Sequence, residues 1–246
     1  MDSLDYYISQ QYQLLYFFRR DNSLSIKQND CCRWLCIDDV VQSAMSLAKP
    51  WQLTMPHHFA LIMPLLHIRP VHIIEFGLGG GNNARLFNYL DKSINHQIIE
   101  SNIEVINCFE QYFNPQQIEP WIVHAQAEHF LENKKYSNAD WLIIDIFQDN
   151  AEQALDRTLR PLMSSLQSVQ TLSINLLNIS STLLSQLMNT INAHSCTHHI
   201  ELYTVPRYKN KILHLISKEN QGVSERLHLD SSIQENLMDY VNRYRC

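Results

Sequence analysis

Four of the five glycines in this chain of 246 residues fall within five positions, at Gly77, Gly79, Gly80 and Gly81, inside the stretch VHIIEFGLGGGNNARLF from Val71 to Phe87. Ordinary usage of about 7% would supply roughly seventeen glycines, so the other turns are made with Asn, Asp, Ser and Pro and the cluster answers a local need. It follows an apolar, strand-like run and precedes a run with helical spacing. At such a junction a phosphate, or the ribose and amino-acid portion of a nucleoside, reaches backbone N–H groups that side chains would screen. The spacing is E-x-G-x-G-x-G (Glu75, Gly77, Gly79, Gly81) rather than the G-x-G-x-x-G of dinucleotide sites, so a pyrophosphate is not specified. Glu100 ends the next apolar run about twenty residues on, where a carboxylate accepts hydrogen bonds from both ribose hydroxyls. Together these residues predict an adenosine-type ligand. Asp145 ends a further run, DWLIID, on the same carboxyl edge, where open α/β sheets hold ligands. It is placed either to face a ligand or to cap a following helix.

The elements that must position these groups are legible in the apolar period. VHIIEF, HQIIE, WIVHA, DWLIID, TLSINLL, IELYTV and KILHLIS are strand candidates, and NNARLFNYL, NIEVINCFEQYF, AEHFLEN, AEQALDRTLRPLMSSL and STLLSQLMNTINA between them carry helical spacing. The alternation predicts an α/β fold, a Rossmann-like doubly wound sheet of seven parallel strands with helices on both faces. SSIQENLMDYVNRY closes the chain as a helix with Ser231 or Ser232 as its cap. Ahead of all this SLSIKQ, CCRWLCID and VVQSAM are short strands parted by turn residues, a hairpin or meander. The expected organisation is a small N-terminal β subdomain over residues 1–54 and a Rossmann-like nucleoside-binding domain over 55–246.

Composition excludes several classes. A net charge of −6 leaves no basic stripe for nucleic acid. The longest apolar run, Phe59 to Leu66, is too short for a membrane span, and Met1 to Asp5 has neither the basic start nor the apolar run of a secretory leader, so the expected compartment is the cytoplasm. Six irregularly spaced cysteines without CxxC read as reduced thiols. His194, Cys196, His198 and His199 crowd together in HSCTHH but lack the paired spacing that closes a tetrahedron, and no metal is expected; a polar loop entering the sixth strand is the better reading. His57-His58 read as the start of a helix rather than a catalytic base. The stripe of Tyr6, Tyr7, Tyr12, Tyr16, Phe17 and Phe18 reads as packing or a dimer contact.

Five stretches in order, RWLCIDDVVQSAM, FGLGGGNNARLF, IIESN, DWLIIDIFQDN and SINLLN, resemble the spermidine synthase-like proteins of the class I S-adenosylmethionine methyltransferase fold, from about Ser25 to Ser217. The resemblance implies a transferase whose co-substrate is S-adenosylmethionine or its decarboxylated form, passing an aminopropyl or methyl group to an amine or other small nucleophile. It implies Gln42 at the thioether side of the nucleoside, Glu75, Gly77, Gly79, Gly81 and Asn82 around the glycine loop, Glu100 on the ribose, Gln126 at the adenine and Asp145 as the base. A homodimer through the N-terminal region is expected, with only small molecules as other partners. The departures are Asn82 at the family's Asp after the glycine loop, Gln126-Ala127 for an Asp-Ala pair, Ile146-Phe147-Gln148 without the second carboxylate, and FALIM (Phe59 to Met63) for a Tyr-His-Glu stretch. By the same resemblance the nucleoside pocket is retained and the polyamine pocket dismantled. Small-molecule methyl transfer and a regulatory protein that binds a nucleoside without turnover stay open as alternatives.

Overall fold

The structure is a computed structural model that describes residues 4, 8–133, 136, 138–146, 169–194, 197–219, 227 and 229–246. The expected helix over 151–166 lies outside the described residues, as do Tyr6, Tyr7 and Cys196.

The N-terminal sheet is an antiparallel meander in the order β1 (Gln13–Arg19), β2 (Ser23–Gln28), β3 (Cys32–Ile37) and β4 (Val40–Ser46). β1 belongs to the aromatic stripe, and strand formation is what lays that stripe out: Tyr12 packs edge-on against Trp34, and Tyr16 against Tyr112. β3 and β4 are joined by Asp38 and Asp39, whose φ values of 45° and 61° are the left-handed pair that a two-residue hairpin turn requires. Asp38 also accepts hydrogen bonds from the amide and hydroxyl of Ser23 at 2.7 and 3.0 Å, tying that turn to β2.

The large sheet has seven strands in the order β10-β11-β9-β8-β5-β6-β7, built from β5 (His72–Phe76), β6 (Asn95–Glu100), β7 (Trp121–His124), β8 (Trp141–Ile144), β9 (Thr171–Leu177), β10 (His198–Thr204) and β11 (Asn210–Ser217). The sheet is mixed, which corrects the all-parallel expectation: β11 runs antiparallel to both β9 and β10. Only 205–209 separate β10 from β11, and a link that short makes a hairpin, since a parallel return needs a crossover of a dozen or more residues. Period-2 alternation divides the core between two faces. Ile73, Trp141, Ile143 and Ile212 face one helical layer; Ile74, Leu142, Ile144 and Leu213 face the other.

The helices are α1 (Pro56–Leu61), α2 (Asn82–Leu90), α3 (Ile103–Cys108), α4 (Ala127–Glu132), α5 (Ser181–His194) and α6 (Ser231–Tyr244). The N-cap of α6 is Asp230, one residue earlier than expected; its carboxylate is engaged by the Tyr89 hydroxyl at 2.7 Å instead of by the helix amides. α3 runs on into a π turn, Phe109–Phe113. A third apolar cluster joins the two sheets, with Leu24, Ile26, Leu35 and Met45 of the meander against Leu78, Ala84, Phe109 and Phe113. No helix among the described residues is long and apolar enough to cross a membrane.

A buried polar chain threads the large sheet. Trp141 Nε1 donates to Ser173 Oγ, which lies 2.8 Å from His214 Nδ1, and His214 Nε2 reaches the Ala60 carbonyl at 2.9 Å. Ser173 therefore donates to Nδ1, and His214 is the neutral Nε2–H tautomer. Burial holds its pKa down at about 4 against an ordinary 6.5. Because the folded value is the lower one, His214 stabilises the fold above pH 6.5 and that contribution, at most about 3 kcal/mol, is lost as pH falls toward 4. Urea unfolding at pH 7.5 and pH 4.5 should show this slope, and His214→Gln should flatten it; an identical slope in the variant would contradict the assignment.

Candidate functional site

Gly77, at φ 99°, turns the chain sharply out of β5, and its amide bonds the Ile99 carbonyl of β6 at 2.9 Å. The next amide, of Leu78, donates to Glu100 Oε2 at 2.9 Å, while the Asn102 amide donates to Glu100 Oε1 at 2.8 Å. Glu100 thus ties the glycine loop to the end of β6 as well as facing the cleft. It is 9% exposed; burial raises its pKa, and the backbone amides of Asn102, Leu78 and Ser101 work against that rise. Gly81, at φ 67°, is the left-handed N-cap of α2, and a Cβ there would strike the Phe109 ring.

A cleft of about 950 Å³ opens between the meander and the carboxyl edge of the large sheet. Gln42, Glu75, Gly77, Gly79, Asn82, Glu100, Gln126 and Asp145 all line it; Gly81 sits beside them as the helix cap. Within the cleft wall, Glu75 is buried and its carboxylate is taken up by Asn83 Nδ2 at 2.8 Å, with His96 Nε2 2.9 Å away. Gln126 is exposed at the N-cap of α4.

Asp145 follows β8 directly. Its Oδ1 accepts from Asn175 Nδ2 at 2.7 Å, Asn175 Oδ1 accepts from Asn210 Nδ2 at 2.8 Å, and Oδ2 lies 3.8 Å from His58 Nε2. One carboxylate oxygen is fixed by this amide pair and the other is turned toward α1. His57 and His58 do begin a helix, and they also line the cleft, a part that the sequence alone does not mark. Its one trace there is two consecutive polar residues after Pro56 in the otherwise apolar PHHFAL. FALIM supplies no group in their place, since Ala60, Leu61, Ile62 and Met63 are core residues no more than 1% exposed.

Behind Asn82 lies Arg85, 1% exposed. Its guanidinium donates to Asn82 Oδ1 at 2.5 Å, Pro50 O at 2.7 Å, Phe113 O at 2.9 Å and the Gly80 carbonyl. All four acceptors are neutral, so the cation has no carboxylate in contact among the described residues. Burial lowers its pKa to about 9, which leaves it charged at neutral pH. Asn82 Oδ1 also accepts from Ser43 Oγ at 3.3 Å, which directs Asn82 Nδ2 at His58 Nδ1, 3.1 Å away.

Of the HSCTHH group, His198 and His199 are successive residues of β10 and point to opposite faces; His198 bonds the Val169 carbonyl at 2.7 Å, while His199 lies against Glu201 and Arg245. Cys196 and the side chain of His194 lie outside the described residues. Among the described residues, the cluster of metal-ligating types is His57, His58 and Asp145, whose ligand atoms lie within 4.8 Å of one another.

This fold recurs among solved structures. A probable spermidine synthase from Corynebacterium glutamicum superposes with a TM-score of 0.68 at 14% identity, over 96% of this chain and 88% of that one. The chain shares the fold of that spermidine synthase. The Thermotoga maritima spermidine synthase gives 0.62 at 15% identity over 93% of this chain and 84% of its own. Human methyltransferase-like protein 13, in complex with SAH, gives 0.55 at 15% identity over 76% and 91%, so the large sheet is that of the methyltransferase fold. In sequence, the polyamine aminopropyltransferases of Neisseria meningitidis serogroups A and B are 31% identical over 124 residues, 48% of this chain. That match spans 45% of the length of these curated relatives. No family model matches the chain.

Proposed function

We propose that the chain is a spermidine synthase-like transferase that binds S-adenosylmethionine or its decarboxylated form. It passes the aminopropyl or methyl group to an amine or other small nucleophile. The observation that carries this reading is the placement of the glycine loop, Glu100 and Asp145 around one cleft at the carboxyl edge of the sheet. In the proposed pose the ribose hydroxyls donate to Glu100, Gln126 borders the adenine, Gln42 faces the thioether, and the amino-acid tail lies toward Asn82. The nucleophile then meets the carbon beside the sulfonium next to Asp145, which orients or takes its proton, a role typically worth 10² to 10⁴ in rate. Residues 1–54 supply one wall of the cleft and 55–246 the other. A spermidine synthase solved with the transition-state analogue AdoDATO shares this fold at a TM-score of 0.63 and 16% identity.

A specific observation keeps methyl transfer from the ordinary carboxylated donor beside aminopropyl transfer. The tail end of the cleft presents Asn82 backed by the Arg85 cation, and neither repels a carboxylate. The test is calorimetry with S-adenosylmethionine, its decarboxylated form and methylthioadenosine on the wild type, Glu100→Gln and Asn82→Asp. Glu100→Gln should weaken all three by about tenfold to a hundredfold, since hydrogen bonds to a charged group contribute about 1.5 to 3 kcal/mol. Asn82→Asp should weaken only the carboxylated ligand. Unchanged affinities in Glu100→Gln would remove the ribose from that position.

The cytoplasm is the proposed compartment. A homodimer is proposed through β1, the edge strand of the meander, where Leu14 is 51% and Phe17 56% exposed. Light scattering at micromolar concentration should return twice the chain mass; a monomer would dismiss this interface.

A further inference from the structure

The cleft divides by strand. The nucleoside residues follow β5, β6 and β7, whereas Asp145 follows β8, and Asn175 and Asn210 stand on β9 and β11, at the other half of the same edge. Over this second half α1 places His57 and His58, whose rings lie 4.1 Å apart. Resting on the transferase reading above, we propose that His57, His58 and Asp145 form an acceptor pocket for a singly charged amine, with the His57 imidazole collecting the proton that amine sheds.

The tautomer of His58 is set from behind. Asn82 Oδ1 accepts from Arg85 and Ser43, so its NH₂ group donates to His58 Nδ1. Neutral His58 then carries its proton on Nε2, the nitrogen turned toward Asp145 Oδ2. A divalent cation on that nitrogen would drive the proton onto Nδ1, against the Asn82 NH₂, and Asn82 cannot turn over without facing its own NH₂ to the guanidinium. The cluster is therefore a proton-handling group and not a metal site. His57 makes no hydrogen bond to another described residue, which leaves its imidazole available. Burial lowers the pKa of His57 and takes that of His58 well below the usual range, with His57 and Arg85 adding to the effect on His58 and Asp145 opposing it on His57. Both rings are neutral at pH 7. His214, from β11, bonds this helix at the Ala60 carbonyl and is itself neutral there.

Charge decides the acceptor class. This half of the cleft offers one carboxylate, Asp145, beside two neutral imidazoles and two amides. Glu75 and Glu100 are already engaged, Glu104 and Glu128 line the nucleoside half, on α3 and α4 after β6 and β7, and Asp21 stands exposed in the β1–β2 turn beside Arg20, of opposite sign. One ammonium is compensated here and a second is not. In the reaction the ammonium passes one proton to His57, and the freed lone pair forms the N–C bond. The C–S bond breaks with its electron pair staying on sulfur, which leaves as the neutral thioether, and the new ammonium retains its remaining protons.

The test uses the whole chain with each sulfonium donor, n-butylamine and 1,4-diaminobutane. The wild type should favour the monoamine in kcat/KM by about tenfold or more. His57→Gln should lower kcat by about a hundredfold and erase the acidic limb of the pH–rate profile, while methylthioadenosine affinity stays within about twofold. His58→Glu, which adds a second anion, should reverse the preference toward the diamine. A wild type that prefers the diamine, His57→Gln with undiminished kcat, or stoichiometric zinc binding lost in His57→Gln would overturn the proposal. So would failure of butylamine to bind the methylthioadenosine-loaded protein. If methylthioadenosine itself does not bind, it is the transferase reading that fails.

Discussion

Arg85→Met is expected to cost about 3 to 5 kcal/mol of stability, what remains when several buried acceptors lose their donor and the relief of burying a cation is deducted. Methionine fills much of the same volume but donates nothing, so the carbonyls of Pro50, Gly80 and Phe113 and the Asn82 oxygen all lose a donor inside the protein. Each buried acceptor left unmet costs about 1 to 3 kcal/mol. Relief of the desolvation of a buried cation offsets part of that sum. Urea unfolding monitored by fluorescence and by far-ultraviolet dichroism should give coincident transitions at a much lower midpoint. A midpoint within experimental error of the wild type would mean that the guanidinium is not the tie between loop, α2 and π turn described above. Arg85→Lys should recover little, because one ammonium cannot span four acceptors that a planar fork reaches together.

Gly77→Ala is expected to abolish nucleoside binding, and here backbone and packing act in the same direction. At φ 99° the residue lies outside even the left-handed helical basin, where an L side chain is strained by about 1 to 3 kcal/mol. The added methyl would also run into the backbone carbonyl of Asp145, which cannot swing aside as a side chain can. Relief requires either Asp145 or the Leu78 amide to move, and the second is the donor that fixes Glu100. Equilibrium dialysis with labelled methylthioadenosine should show at least a hundredfold loss, while the dichroism of the sheet persists. Retained affinity would show that the loop tolerates a different path out of β5.

Most of the elements are legible because they carry a clean period; β1, whose QLLYFFR does not alternate, is not. VHIIEF and DWLIID alternate between two buried faces, and NNARLFNYL coincides with α2 from its first residue to its last. The reversal of β11 in the otherwise parallel sheet is not legible in the apolar period, which reports burial and is silent on direction; the short 205–209 link holds that information. Within the site, glycine spacing and strand-end carboxylates were readable from types and positions alone. The chemical part of His57 and His58 is not legible in the sequence, since a helix start explains them equally well until the fold brings Asp145, nearly ninety positions on in sequence, to the same place. Arg85 was hidden for a related reason: in NNARLF it reads as the solvated side of a helix, and only the carbonyls of Pro50, Gly80 and Phe113 converging from three segments make its burial possible.

The π turn at Phe109–Phe113 joins the two halves of the molecule. Phe109 covers Gly81, the Phe113 carbonyl receives Arg85, and the Tyr112 carbonyl receives Arg33 of the meander. Five adjacent residues thereby hold the glycine loop on one side and the wall of the cleft on the other, as a keystone holds both limbs of an arch. Substitutions in the meander and in the loop are consequently linked through a segment that touches both. A change at Arg33 and a change at Gly81 will not act as independent alterations, although the two residues belong to different sheets, and the meander cannot be exchanged for a relative's without carrying the π turn with it.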